Sequence, residues 1–239
     1  MAYKKPTLTE TYAEVHLPQG VLTEARYFDV VPKLKDLGFT EVEFAPAGFS
    51  VQIKQGRPFP REQQRVRCWK PGRTQLVQVG EDLLVVNLTG DYPGWDAFRK
   101  LFRQSIGALT SGLGRFEVES LNLATLDTLK VAKDGFIAQQ YLDTGGSIVP
   151  KWYSRATQSF DMDLGIGLLE VDGRNRQVHV NVRAAEDPVV ISIRCEFHDK
   201  VSGGDLDVLL SSLHDESNAA FEALITDHVR NVVMGGRKV

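Results

Sequence analysis

The feature that most constrains this chain is an alternation with a period of two residues. Val189, Ile191, Ile193, Cys195 and Phe197 are interleaved with Val190, Ser192, Arg194, Glu196 and His198, and only an extended backbone sends successive side chains to opposite faces. Val178, Val180 and Val182 alternate with His179, Asn181 and Arg183 in the same way. Phe160, Met162, Leu164, Ile166 and Leu168 alternate with Ser159, Asp161, Asp163, Gly165 and Gly167. Strands that are apolar on one side only belong to antiparallel sheets, and Asp172-Gly173 and Glu186-Asp187-Pro188 supply turns between the runs.

Two stretches replace this rhythm with a helical one. After the turn Asp91-Tyr92-Pro93-Gly94, the residues Trp95, Phe98, Phe102, Ile106 and Leu109 recur every three or four positions. From about Asp205 onward, Leu206, Leu209, Leu210, Leu213, Phe221, Leu224, Ile225, Val229 and Val232 share a face that Gly235-Gly236 stop. Before the first helix we expect a strand at 8–17, a helix at 27–37 and strands near 41–44, 51–54, 65–69, 75–79 and 83–89. Before the second we expect a strand at 115–124, a short helical or irregular stretch at 132–142 and three strands. The predicted class is therefore α+β. It has two intimately packed βαβₙα halves, 1–112 and 113–239, each an antiparallel sheet on a long C-terminal helix. That element order parallels the saddle-like duplication of the TATA-binding protein, an analogy of order alone.

Composition narrows the classes of function. The chain has 239 residues, 42% of them hydrophobic, with a net charge of -3, which excludes disorder as its dominant state. A chain of this length buries about 70–75% of its unfolded surface, so its core needs no disulfide or metal. The apolar runs are strand-sized, far below the ~20 residues of a membrane helix, and no membrane span is expected. Met1-Ala-Tyr-Lys-Lys-Pro6 leads into no apolar segment, and Cys68 and Cys195 stand isolated. A cytoplasmic setting is expected.

The motifs that announce chemistry are missing. Gly165-Ile-Gly167 lacks a third glycine and a following helix, Thr144-Gly-Gly-Ser147 lacks the lysine of a phosphate loop and reads as a turn, and there is no GxSxG or HExxH. No cofactor and no metal are expected.

Two groups of residues remain as candidate sites. Alternation places Asp161 and Asp163, His179, and His198 on the polar face of the second sheet, where they serve as catalytic candidates if that face is covered. Left open, the same residues are ordinary solvated side chains. The segment from 54 to 73 carries Lys54, Arg57, Arg61, Arg65, Arg67, Lys70 and Arg73 against Glu62 alone, so +6 here leaves -9 elsewhere. With Trp69 interleaved, it is the candidate surface for anions or nucleic acid, assisted by Arg99, Lys100 and Arg103. A solvated hairpin is the plainer reading. His214 and Asn218, one helical turn apart, read as a structural pair.

Several phrases taken together resemble a known group of proteins. They are Gln78-Val79-Gly80-Glu81-Asp82-Leu83-Leu84-Val85-Val86-Asn87 with Tyr92-Pro93-Gly94-Trp95 and Phe98, and the closing Leu213-His214-Asp215-Glu216-Ser217-Asn218 with Phe221-Glu222 and Leu224-Ile225-Thr226-Asp227. Arg67-Cys68-Trp69 and Leu121-Asn122 complete the set. The chain resembles a sporadically distributed bacterial family of uncharacterised proteins of about this length. Such distribution implies travel on mobile elements, where defence and toxin–antitoxin modules are common. The expected function is a non-catalytic binding or regulatory protein that engages a protein partner or forms a homodimer. Nucleic-acid binding through the 54–73 segment and a hydrolase-type site on the second sheet are the alternatives.

Overall fold

The computed structural model describes residues 3–54, 57–90, 92–143, 161–171, 174–184, 187–201, 203 and 205–236, with backbone alone for 47–54, 57–64 and 161–171. The chain is α+β. Its elements are β1 (Leu8–His16), α1 (Tyr27–Asp36), β2 (Glu41–Lys54), β3 (Arg57–Trp69), β4 (Gln75–Gly80), β5 (Leu83–Thr89), α2 (Trp95–Leu113) and β6 (Ser120–Val131). There follow β7 (Asp161–Val171), β8 (Arg174–Arg183), β9 (Val189–Lys200) and α3 (Leu206–Leu224). Hydrogen-bonded neighbours run in the order β2-β3-β4-β5-β1-β6-β9-β8-β7. Each of β2, β3 and β4 pairs antiparallel with the strand that follows it, as do β7 and β8. Bonds from Thr128 N–H to Thr7 O and from Glu119 N–H to His16 O make β1 and β6 antiparallel as well.

The chain divides into two compact units, one of Thr11–Asn122 with Asp199–Leu209, the other of Met1–Glu10, Leu123–His198 and Leu210–Val239. In the first, register aligns Cys68, Val77 and Val86 in one row and Val66, Val79 and Leu84 in the next. All six are buried, as are Phe98, Phe102 and Leu109 of α2 and Val30 and Leu34 of α1. In the second, Val178, Val180 and Val182 of β8 and Val189, Ile191, Ile193, Cys195 and Phe197 of β9 are buried as alternation requires, together with Leu213 and Phe221 of α3.

Three boundaries and one buried position depart from expectation, each for a physical reason. The strands expected at 41–44 and 51–54 are one strand, β2, because a bulge between Pro46 and Gly48 absorbs the proline. That proline sits where its missing N–H does no harm, on a strand with a single neighbour. The strand expected at 115–124 is shifted to Ser120–Val131, since Thr125 and Asp127 occupy its buried face and hide the alternation. Ile106 leaves the buried stripe of α2. Ser105 takes the buried place, with its hydroxyl donating to Leu101 O at 2.9 Å.

The last helix stops at Leu224 instead of running to Val232. There the chain exchanges helical bonds for others: Asp143 N–H donates to Leu224 O, Thr226 N–H to Tyr141 O, and Leu142 bridges Ile225. Val232 consequently lies on a following π-helical turn and is 63% exposed. The stretch expected at 132–142 holds a 3-10 turn, Ala138–Gln140. The turns read at Asp172-Gly173 and Thr144-Gly-Gly-Ser147 lie outside the described residues.

Candidate functional site

The unit of Thr11–Asn122 and Asp199–Leu209 contains a cleft of about 1100 Å³. Its walls come from three chain segments and one helix face. Pro18 and Val21 line it from the loop after β1, Ile106 and Thr110 from α2, Arg115 to Val118 from the segment entering β6, and Val201, Gly203 and Leu206 from the approach to α3.

The loop and the approach to α3 are both fixed by groups outside the lining. Asp82, held at φ +52°, accepts Gly20 N–H at 2.8 Å and Leu22 N–H at 2.9 Å through its two carboxylate oxygens. Its backbone accepts Leu17 N–H and donates to Leu22 O, both at 2.9 Å. Four bonds from one residue therefore shape the Pro18–Leu22 loop, where Gly20 adopts φ +86°, a conformation that favours glycine. Arg26 then ties this loop to the end of α2, donating to Val21 O at 3.2 Å and Leu113 O at 3.0 Å.

The third wall is tied to α2 by charge. Arg99 and Arg103, one turn apart, donate through Nε to Asp207 Oδ1 at 2.7 and 2.8 Å, and each also reaches Oδ2. Bonds from Arg99, then Arg103, hold the Asp207 carboxyl well below the usual carboxylate range. Asp207 N–H in turn donates to Asp205 Oδ1 at 2.9 Å. Arg99 and Arg103, counted above as auxiliary anion ligands, are thus engaged with a carboxylate of their own chain.

The lining is mostly apolar. Thr110 spends its hydroxyl on Ile106 O at 2.9 Å, while Arg115 and Glu117 are exposed at the rim. Clefts of this size and character bind ligands that are largely apolar with a few fixed polar points. Sequence reading missed the site because its walls are loops that carry no motif. The one available signal was Ile106, an apolar residue on the edge of the α2 stripe.

The 54–73 segment takes in the last residue of β2, all of β3 and the turn after it, and the side chains of Lys54, Arg57 and Arg61 lie outside the described residues. Arg65, Arg67 and Trp69 share one face of β3, alternating with buried Val66 and Cys68. That face is knitted to β2. Trp69 Nε1 donates to Glu43 Oε1 at 3.1 Å, Arg73 Nε to Glu41 Oε2 at 2.9 Å, and Arg67 Nη1 stands 3.9 Å from Glu43. Arg73 also lies 5.6 Å over the Trp69 ring, and Lys70 lies 5.1 Å over Phe39.

The strands read as a second sheet are part of one continuous sheet, and on β7, β8 and β9 register does place Asp161, Asp163, His179 and His198 on one face. It also separates His198 from the carboxylates, while His179 stays diagonal to Asp163. Asp163 lies opposite Asn181 and His198 opposite Asn175, six positions apart on β8, or about 20 Å along the strand. His179 is exposed and His198 half-buried, and the side chains of Asp161 and Asp163 lie outside the described residues. Among the described residues no three His, Cys, Asp or Glu side chains are grouped to hold a metal.

The unit of Leu123–His198 has a buried polar cluster that the sequence did not announce. Thr7 Oγ1 donates to Asp127 Oδ1 at 2.8 Å, and the Thr125 and Ser217 hydroxyls meet at 2.8 Å. Burial pushes the Asp127 carboxyl up to about 7, with the Thr7 bond opposing the shift. Burial, with Asp127 adding, pushes the Cys195 thiol up to about 12, which makes it inert as a nucleophile. On α3, Asn218 Nδ2 and His214 Nε2 lie 2.9 Å apart, and burial lowers His214 to about 4.

No protein-family model matches the chain, and no curated protein matches it. Among solved structures, it overlaps the di-domain ARO/CYC StfQ from the steffimycin biosynthetic pathway over 89% of this chain and 92% of that one, at 11% identity and a TM-score of 0.17. A score so low carries no argument about fold or function.

Proposed function

We propose that this chain is a non-catalytic binding or regulatory protein whose ligand occupies the cleft beside α2. The observation that carries the reading is the contrast between walls and lining. The walls are held by Asp82, Arg26 and Asp207, while the side chains facing the cleft are chiefly apolar, with no histidine, cysteine or serine among its described lining. A cleft shaped before its ligand arrives binds without the cost of ordering its own loops.

The finer architecture belongs to the same proposal. We infer an internal duplication, supported by strand order: β2-β3-β4-β5 ends beside β1, and β7-β8-β9 ends beside β6. The family resemblance supports a regulatory setting in the bacterial cytoplasm, in defence or toxin–antitoxin modules. It also suggests a protein partner or a second copy as the object of regulation.

An anionic apolar dye, 8-anilinonaphthalene-1-sulfonate, tests the cleft. Saturable binding near one equivalent, weakened at least tenfold by Val21→Glu in a variant with unchanged circular dichroism, is the expected result. Binding that is not saturable, or that ignores the substitution, overturns the reading. Turnover of an ester panel abolished by His179→Ala would establish the hydrolase alternative instead, and a mobility shift of oligonucleotides abolished by Arg65→Glu the nucleic-acid one.

A further inference from the structure

Three observations at the rim of the cleft concern Arg115 to Val118. First, the two strands flanking β6 both stop short of this segment. The β1–β6 ladder ends with Glu119 N–H on His16 O, and the chain after β1 then reaches Pro18, which has no N–H to offer. On the other side the last bond is Val201 N–H to Glu119 O, after which the chain passes through Gly203 at φ +88°.

Second, among the described residues no backbone N–H or C=O from Arg115 to Val118 has a protein partner. Such groups are satisfied by water until another backbone replaces it. Third, the segment's own side chains differ in character. Phe116 and Val118 are half-buried, whereas Arg115 and Glu117 are exposed. Arg26, Arg99 and Arg103 are all committed to protein acceptors, but Arg115 has no such acceptor among the described residues.

We propose that the cleft takes an extended peptide, which pairs backbone to backbone with Arg115–Val118, buries alternate apolar side chains between Val21 and Leu206, and sets an acidic group against Arg115. This rests on the cleft-binding reading and specifies its ligand. Strand addition draws affinity from main-chain hydrogen bonds and specificity from pockets for every second side chain. The exposed Arg115 guanidinium selects a carboxylate on the peptide by charge. A free amphiphilic acid would use the apolar walls and Arg115 but leave the four-residue backbone unpaired, so the peptide accounts for more of the structure.

The test uses the full chain and random heptapeptides displayed on phage, panned on the wild-type protein and counter-screened on Arg115→Glu. Arg115 is exposed and has no side-chain partner among the described residues, so that variant keeps its circular dichroism. Enriched peptides should alternate apolar residues and carry an acid. They should lose at least tenfold in affinity on Arg115→Glu, and lose binding when the alternate amides are N-methylated. Bound peptide should slow amide hydrogen exchange at Phe116 to Val118 at least tenfold.

If no peptide is enriched, or enriched peptides tolerate both changes, the inference fails. Should 8-anilinonaphthalene-1-sulfonate and decanoate then still bind in a Val21-dependent way, the cleft-binding reading survives with an amphiphile as ligand. Should they also fail, both fall.

Discussion

A Cβ placed on Gly112 would stand 2.7 Å from the carbonyl oxygen of Asp29. The other nearest atoms, Asp29 C at 2.9 Å and Val30 Cα at 3.1 Å, are backbone too, so the contact between α2 and α1 cannot relax by turning a side chain. Alanine would gain about 1 kcal/mol of helix propensity and lose about 1–3 kcal/mol to overpacking. Gly112→Ala should therefore lower the urea midpoint with no change in slope, and Gly112→Val should lower it further.

Asp82 combines a left-handed backbone with two side-chain acceptor bonds, and substitutions separate these roles. Asn tolerates the backbone and keeps one acceptor oxygen, Gly keeps only the backbone freedom, and Ala keeps neither. Thermal midpoints should fall progressively from Asp82→Asn through Asp82→Gly to Asp82→Ala, the last reflecting a loss of about 2–3 kcal/mol of stability. Dye binding in the cleft should weaken in the same order, because the loop carrying Pro18 and Val21 loses its tether.

Asp127 makes stability depend on pH. Its carboxyl is raised to about 7 in the folded chain, against about 4 when unfolded. Between those values the folded state holds a proton that the unfolded state has released, so stability is full below pH 4 and declines as pH rises to 7. The contribution amounts to roughly 4 kcal/mol at most. Asp127→Asn should remove the slope, which is read as the difference between wild-type and variant urea midpoints across pH 4 to 8.

The Arg99–Asp207–Arg103 cluster predicts a salt dependence of a particular sign. Asp207→Ala leaves two guanidinium groups facing each other one helical turn apart. The variant should be less stable than wild type in dilute buffer, and the difference should shrink as sodium chloride rises and screens the repulsion. A difference that grows with salt would contradict this arrangement.

What the sequence disclosed was set by how faithfully side chains report on backbone. The strands β8 and β9 were legible because Val178–Val182 and Val189–Phe197 alternate, with Val190 the one apolar residue on the outward face. β6 was misplaced because a threonine and an aspartate sit on its buried face, and a pattern of polarity cannot distinguish a buried polar residue with a partner from an exposed one. The end of α3 was missed for a different reason. Its stop depends on the bonds Asp143 N–H to Leu224 O and Thr226 N–H to Tyr141 O, whose partners lie 81 and 85 positions apart in sequence, so no local signal marks it. The cleft was illegible altogether, since it exists only where loops distant in sequence converge.

The residues that hold the cleft open are different from those that face its contents. Asp82, Arg26, Arg99, Arg103 and Asp207 set the positions of the walls, and none of them lines the space. Ligand preference and foldability are therefore encoded at separate positions in this unit. Val21, Ile106, Phe116 and Leu206 can be varied while the clamps are kept constant. A library randomised at those four positions should yield mostly folded proteins with altered ligands, whereas randomising Asp82 and Arg26 should yield mostly collapsed ones.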